Sequence, residues 1–201
     1  MNYYISDLHI GCKNSFENRT LAHDQTIIDN WNKVVHNDDT VFILGDIGRL
    51  GSSKDNAYVA SIISQLKAKK ILILGNHDQQ CIKDNRILQL FTEIVPYKEI
   101  IDNFNGKNHN LVLSHYPIYS WNGAYKGWIH LYGHTHNNFD HLVFQEALQK
   151  LRNKVHELNI QAEMENNHRF KAEPYAYNVG CMLWNYTPVT LKQILERSNN
   201  D

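Results

Sequence analysis

Apolar positions along this chain follow two rhythms. Tyr3 to Ser6, Thr40 to Leu44 and Ile71 to Leu74 are short runs with almost no polar interruption, rich in β-branched and aromatic types. Such runs predict strands buried on both faces. Between them, apolar side chains recur every three or four residues. Ala22 to Val35 carries Ile27, Ile28, Trp31, Val34 and Val35 on one side and predicts an amphipathic helix. Asp55 to Leu66 predicts a second, with Lys67, Lys69 and Lys70 at its negative end. Strand, helix, strand, helix, strand is the pattern of α/β layers rather than of a helical bundle.

The pattern then changes. Glu93 to Phe104 and Asn108 to Ser114 flank Asn105-Gly106, a strong hairpin signal. Trp128 to Tyr132, Tyr175 to Met182 and Leu183 to Tyr186 predict further strands, and Thr190 to Gln193 fits a capping box before a short last helix. Asp140 to Asn159 predicts a charged helix with a modest apolar stripe, and 159–172 is weakly patterned. The stretch 140–172 therefore reads as a surface insertion, shaping substrate access or a partner contact, in one domain spanning 1–201.

Twenty basic and twenty-one acidic residues leave a net charge of −1. That argues against tight nonspecific binding to duplex nucleic acid, a local basic groove apart, and against adhesion to an anionic membrane. Cys12, Cys81 and Cys181 are too few and too scattered for a disulfide framework or a thiolate zinc site. With no signal-like or membrane-spanning apolar run, the expectation is a cytoplasmic protein. Twelve histidines change the picture more, because imidazole is the commonest metal ligand.

Several of those histidines sit directly after predicted strands, beside carboxylates and an amide. The segments are Asp7-Leu8-His9, Gly45-Asp46, Gly75-Asn76-His77-Asp78, Ser114-His115 and Gly133-His134-Thr135-His136. In an α/β sheet the carboxyl ends of parallel strands converge on one crevice, so residues distant in sequence can meet there. Carboxylate, imidazole and amide oxygen, without thiolate, suit divalent manganese, iron or zinc. Seven such ligands exceed what one tetrahedral ion needs and suit two ions about 3.5–4 Å apart.

The motifs DLHIG, GDIG, GNHD, LSHYP and GHTH together resemble the calcineurin-like metallophosphoesterase superfamily, from Asp7 through His136. The resemblance implies two mixed sheets packed as a sandwich and flanked by helices, an α/β/β/α architecture. It implies two divalent ions, manganese foremost. One would be held by Asp7, His9, Asp46 and His136, the other by Asp46, Asn76, His115 and His134, with Asp46 bridging. It further implies hydrolysis of a phosphate monoester or diester by a metal-bridging hydroxide. His77 would be the general acid and Asp78 would orient it. The candidate substrates are small phosphate esters, nucleotide-like among them, with dinucleotide polyphosphates, phosphoproteins and nucleic acids as further classes. The contrasting reading is an inactive metal-binding interaction module. Arg19, Tyr119 and Trp121 are candidate substrate contacts, the first by gripping phosphate and the aromatics by stacking.

Overall fold

The computed structural model describes residues 1–12, 21–80, 83–164 and 170–198. Strands β1 (Asn2–Ile5), β2 (Thr40–Ile43), β3 (Lys69–Ile73) and β4 (Glu93–Val95) form a parallel sheet in that order. Helices α1 (Leu21–Val34) and α2 (Ser53–Ile63) make the crossovers, and a short α3 (Asn85–Leu88) follows β3. Strands β5 (Lys98–Phe104), β6 (Lys107–Leu113), β7 (Ile129–Tyr132) and β8 (Tyr175–Asn178) form a second, mixed sheet in which only β5 and β6 run antiparallel. The Asn105-Gly106 hairpin turn lies where expected, with Asn105 at φ 52° and Gly106 at φ 73°.

Alternation along the first sheet explains the layering. Tyr3, Ile5, Ile43 and Leu72 face α1 and α2, burying Ile27, Trp31, Val59 and Ile63. Tyr4, Phe42, Leu44 and Ile73 face the other way, onto Leu111, Leu113, Ile129 and Leu131 of the second sheet. Between the sheets the Tyr4 hydroxyl donates to Asp102 on β5 at 2.7 Å. The outer face of the second sheet, with Val112, Tyr132 and Ala176, is covered by α4 (Phe139–Met164) through Leu148, Phe144 and Leu151. The result is an α/β/β/α sandwich.

Three expectations need correction. Glu93 to Phe104 is two strands, because Pro96 lacks the N–H a continuing ladder would use and the chain passes there from one sheet to the other. Only Tyr175–Asn178 of the C-terminal pair is strand; Cys181–Trp184 forms a 3-10 turn. Within 140–172, the described helical part is not peripheral. The helix runs on to Met164, buries Leu148, Val155 and Ala162, and forms the outer layer of the sandwich. The capping box at the start of α5 (Leu191–Ser198) is realised: Thr190 N–H donates to Gln193 Oε1 at 2.8 Å, and Gln193 N–H returns to Thr190 Oγ1 at 3.3 Å.

Candidate metal centre

The loops leaving β1 and β2 stay paired beyond the strands. Asp7 N–H donates to Gly45 O at 3.0 Å, His9 N–H to Asp46 O at 2.9 Å and Ile10 N–H to Ile47 O at 3.0 Å. This ladder sets Asp7, His9 and Asp46 side by side. All three adopt left-handed backbone, at φ 59°, 46° and 56°, as do His134 at 67° and His136 at 46°. Non-glycine residues visit that region seldom and at a cost, so five strained residues at one place mark a site held by its surroundings. Gly45 (φ +87°) gives His115 its place: a Cβ there would collide with His115 Nδ1. At Gly133 a Cβ would strike the Ser6 hydroxyl and come within 2.6 Å of Asp7 Oδ2.

Two groups of converging ligand atoms result. Asp7, His9 and His136 form one, and Asp7, Asp46 and His115 the other, the atoms of each lying within 4.8 Å of one another. His9 and His136 meet Nε2 to Nε2 at 3.0 Å, and His136 Nε2 lies 3.4 Å from Asp7 Oδ1. Asp46 Oδ2 is 3.8 Å from His9 Nε2 and 3.6 Å from His115 Nε2. The expectation puts one carboxylate, Asp46, between the groups; the geometry gives that position to Asp7 as well.

The donor set fits divalent cations. His115 donates its Nδ1–H to Leu44 O at 2.7 Å, which leaves an Nε2 lone pair facing Asn76 Oδ1 at 2.9 Å. Two carboxylates, that lone pair and that amide oxygen are acceptors turned toward one another, an arrangement a cation relieves. Burial alone would raise the Asp7 carboxyl, but His136, His115 and the Ser6 hydroxyl outweigh it and hold it below the usual carboxylate range. Burial, with His115 beside it, lowers the His134 imidazole and favours the neutral form that metals bind. His134 stands next to the second group, its ring 5.1 Å from that of His115, and its backbone N–H donates to Asp7 Oδ2 at 3.0 Å.

His77 and Asp78 part company. The His77 ring is exposed, with Nε2 4.0 Å from Asp46 Oδ2. The Asp78 side chain is fully buried and does not orient His77. Its carboxylate accepts the backbone N–H groups of Asp46, Ile47 and Gly75 at 2.8, 2.9 and 2.8 Å. The reason is local: the loop after β2 and the turn after β3 leave those N–H groups pointing inward, and a carboxylate can accept from all three. Burial pushes this carboxyl up against the pull of the three donors.

The substrate-contact candidates fare differently. Arg19 lies outside the described residues. Tyr119 is exposed, and among the described residues no hydrogen bond or ring contact ties it to the ligand groups. Trp121 is not available for stacking: it is buried against the second sheet and its indole N–H donates to Trp128 O at 2.9 Å. Tyr116, the tyrosine of LSHYP, is the aromatic at the centre, edge-on to His134 at 4.6 Å and to His115 at 5.2 Å. Asn178 supports the site from behind, donating Nδ2–H to His136 O at 3.0 Å. Cys181 does likewise, its thiol donating to Asp7 O at 3.0 Å.

Residues 3–160 match the family model described as calcineurin-like phosphoesterase. The chain is 34% identical over 160 residues to the Gene 66 protein of Mycobacterium phage L5, covering 67% of this chain and 77% of that one. It is 31% identical over 172 residues to the uncharacterized protein MJ1445 of Methanocaldococcus jannaschii, covering 82% of each. Among solved structures, the protein of unknown function AQ665 from Aquifex aeolicus superposes with a TM-score of 0.64 over 98% of both chains at 22% identity, a likeness of fold.

Proposed function

The chain belongs to the calcineurin-like phosphoesterases, and from that premise we propose that it is a hydrolase of phosphate monoesters or diesters that works with two divalent ions. The observation that carries the reading is the pair of Asp/His groups joined through Asp7. Asp7, His9, Asp46 and His136 would hold one ion, and Asp46, Asn76, His115 and His134 the other. Bound there, the ions supply Lewis acidity, neutralising phosphoryl oxygens and acidifying water. Their hard donors favour manganese, iron or zinc.

The chain's own groups supply the rest. His115 is held in one tautomer by the Leu44 carbonyl, so its Nε2 is always presented as a ligand. His77 is anchored by its backbone, whose N–H donates to Asp46 Oδ1 at 3.0 Å, while its ring remains exposed above the carboxylates. A ring so placed can deliver a proton to a leaving oxygen. No described helix is long and apolar enough to cross a membrane. We further propose that the enzyme acts in the cytoplasm on a nucleotide-like ester.

The test is turnover of a panel by manganese-reconstituted protein: p-nitrophenyl phosphate, bis-p-nitrophenyl phosphate, cyclic nucleotides and dinucleotide polyphosphates. Hydrolysis that disappears on chelation and returns with metal supports the reading. Two bound ions with no turnover on any ester would favour an interaction module.

A further inference from the structure

A groove of about 940 Å³ lies beside the metal centre, between α4, the edge strand β8 and the segment from Leu183 to Arg197. Its volume is in the range of ligand sites, yet no residue of the Asp/His groups lines it. One end is at Asn137 and Asn178, and Asn178 holds the His136 carbonyl. A smaller cavity of about 240 Å³, lined by His136, Asn137, Met182 and Tyr186, shares Asn137 with the groove. The two spaces adjoin at Asn137, and the smaller one reaches His136.

Two guanidinium groups in the groove lie on aromatic rings, one at the Tyr175 end and one beside Asn178, whose carbonyl accepts the Trp184 indole N–H at 2.9 Å. Arg152 lies over Tyr175 at 5.4 Å from the ring centre, and Arg197 over Trp184 at 4.6 Å. A guanidinium stacked in this way keeps N–H donors at its edge for a phosphate, and its plane offers a base a platform. Among the described residues Arg152 meets no carboxylate at ion-pair distance; its Nη2 donates to Gln149. The one carboxylate lining the groove, Glu173, is engaged by His156 at 3.4 Å and by the Tyr175 hydroxyl at 3.3 Å. The local balance is therefore cationic although the whole chain is nearly neutral.

The length of the groove selects the occupant. Three residues of β8 separate Asn178 from Tyr175, roughly 10 Å at strand rise. Thirteen residues of α4 separate Phe139 from Arg152, about 20 Å at helix rise. At about 3.4 Å per stacked nucleotide, that distance is three to six nucleotides. A mononucleotide fixed at the metal centre falls short.

We propose that this groove binds single-stranded nucleic acid, with Arg152 holding a backbone phosphate three to six nucleotides from the one seated at the Asp/His groups. The proposal rests on the functional reading above only in taking those groups as the seat of a phosphate. Binding is measurable without turnover. Fluorescein-labelled phosphorothioate dT8 and dT2, whose linkages resist hydrolysis, are titrated with the manganese-loaded full chain at low salt, and anisotropy is read. The dT8 strand is expected to bind at least tenfold more tightly than dT2. Arg152→Glu should weaken dT8 tenfold or more, Arg152→Gln by less, and neither should alter dT2. Both changes are at a partly exposed helix position, and circular dichroism verifies that the fold is kept. Equal affinity for dT8 and dT2, or wild-type affinity for dT8 in Arg152→Glu, overturns the proposal. Absence of p-nitrophenyl phosphate hydrolysis in metal-loaded wild type would defeat the functional reading and leave this binding result standing.

Discussion

Asp78 accepts the backbone N–H of Asp46 at 2.8 Å, so the residue beside the exposed His77 serves the ligand loop and not the imidazole. Asp78→Asn replaces an acceptor of three N–H groups by an amide with one oxygen. A stability loss of about 3 kcal/mol is expected, because buried donors lose a charged partner. Metal affinity should fall with it. On catalysis, rates for alkyl and aryl esters should drop by similar factors. A selective loss on alkyl esters would restore Asp78 to the role of orienting His77.

His77→Ala should behave in the opposite way. The variant is expected to retain two ions, since the ring stands outside both ligand groups. General acid catalysis is worth roughly 10²–10⁴-fold. The loss should therefore be large on a nucleoside or alkyl ester and small on p-nitrophenyl phosphate, whose leaving group needs no proton. Equal losses would assign His77 to electrostatic stabilisation of the phosphoryl group.

Two carboxylates between the ligand groups make a sharper test than one. Asp46→Asn and Asp7→Asn should each lower occupancy of both ions in manganese titrations followed by calorimetry. If Asp7→Asn removes one ion and leaves the second at wild-type affinity, Asp46 alone is the bridge.

His130 gives a pH dependence independent of metal. Its Nδ1–H donates to Val112 O at 3.1 Å, and its Nε2 accepts the Ile118 N–H at 3.1 Å, a pattern only the neutral ring satisfies. Burial pushes it down to about 4. An unfolded imidazole titrates near 6.5, so between those values the unfolded chain holds the extra proton. The contribution is complete above about pH 6.5 and shrinks as pH falls toward 4, by about 3 kcal/mol in all. Urea unfolding of chelated protein from pH 7 to 4.5 should show this slope, and His130→Asn should flatten it. Parallel profiles would contradict the assignment.

The convergence of Asp7, His9, Asp46, His115 and His136 was readable because each follows an apolar strand, and parallel strands end at a common edge. The outer layers were less so. Trp121 and Tyr119 sit two residues apart in the same polar-looking loop, yet one is buried under α4 and the other exposed. Only the helix arriving some twenty residues later decides which. His130 and His115 likewise look alike in sequence; the first is a core residue satisfied by two backbone groups, and the second turns a lone pair to the site. The apolar stripe of α4 is interrupted by charge, so its burial of Leu148 and Val155 is weakly signalled. Tyr116 and Cys181 reach the centre through turn geometry, which carries no periodicity.

The paired loops after β1 and β2 also bear on motion. Asp7, His9 and Ile10 each donate a backbone N–H across the ladder, which continues β2 and the edge strand β1 without a break, and β1 is held on its outer side by backbone bonds to Val179 and Val189. Opening the centre therefore means parting β1 from β2 while β1 is also held by the C-terminal segment, an event near the cost of global unfolding. Amide exchange at these three residues should be among the slowest in the chain, with or without metal. Substrates would then enter a cradle that is already set, and adaptation to different esters would fall to the walls around it.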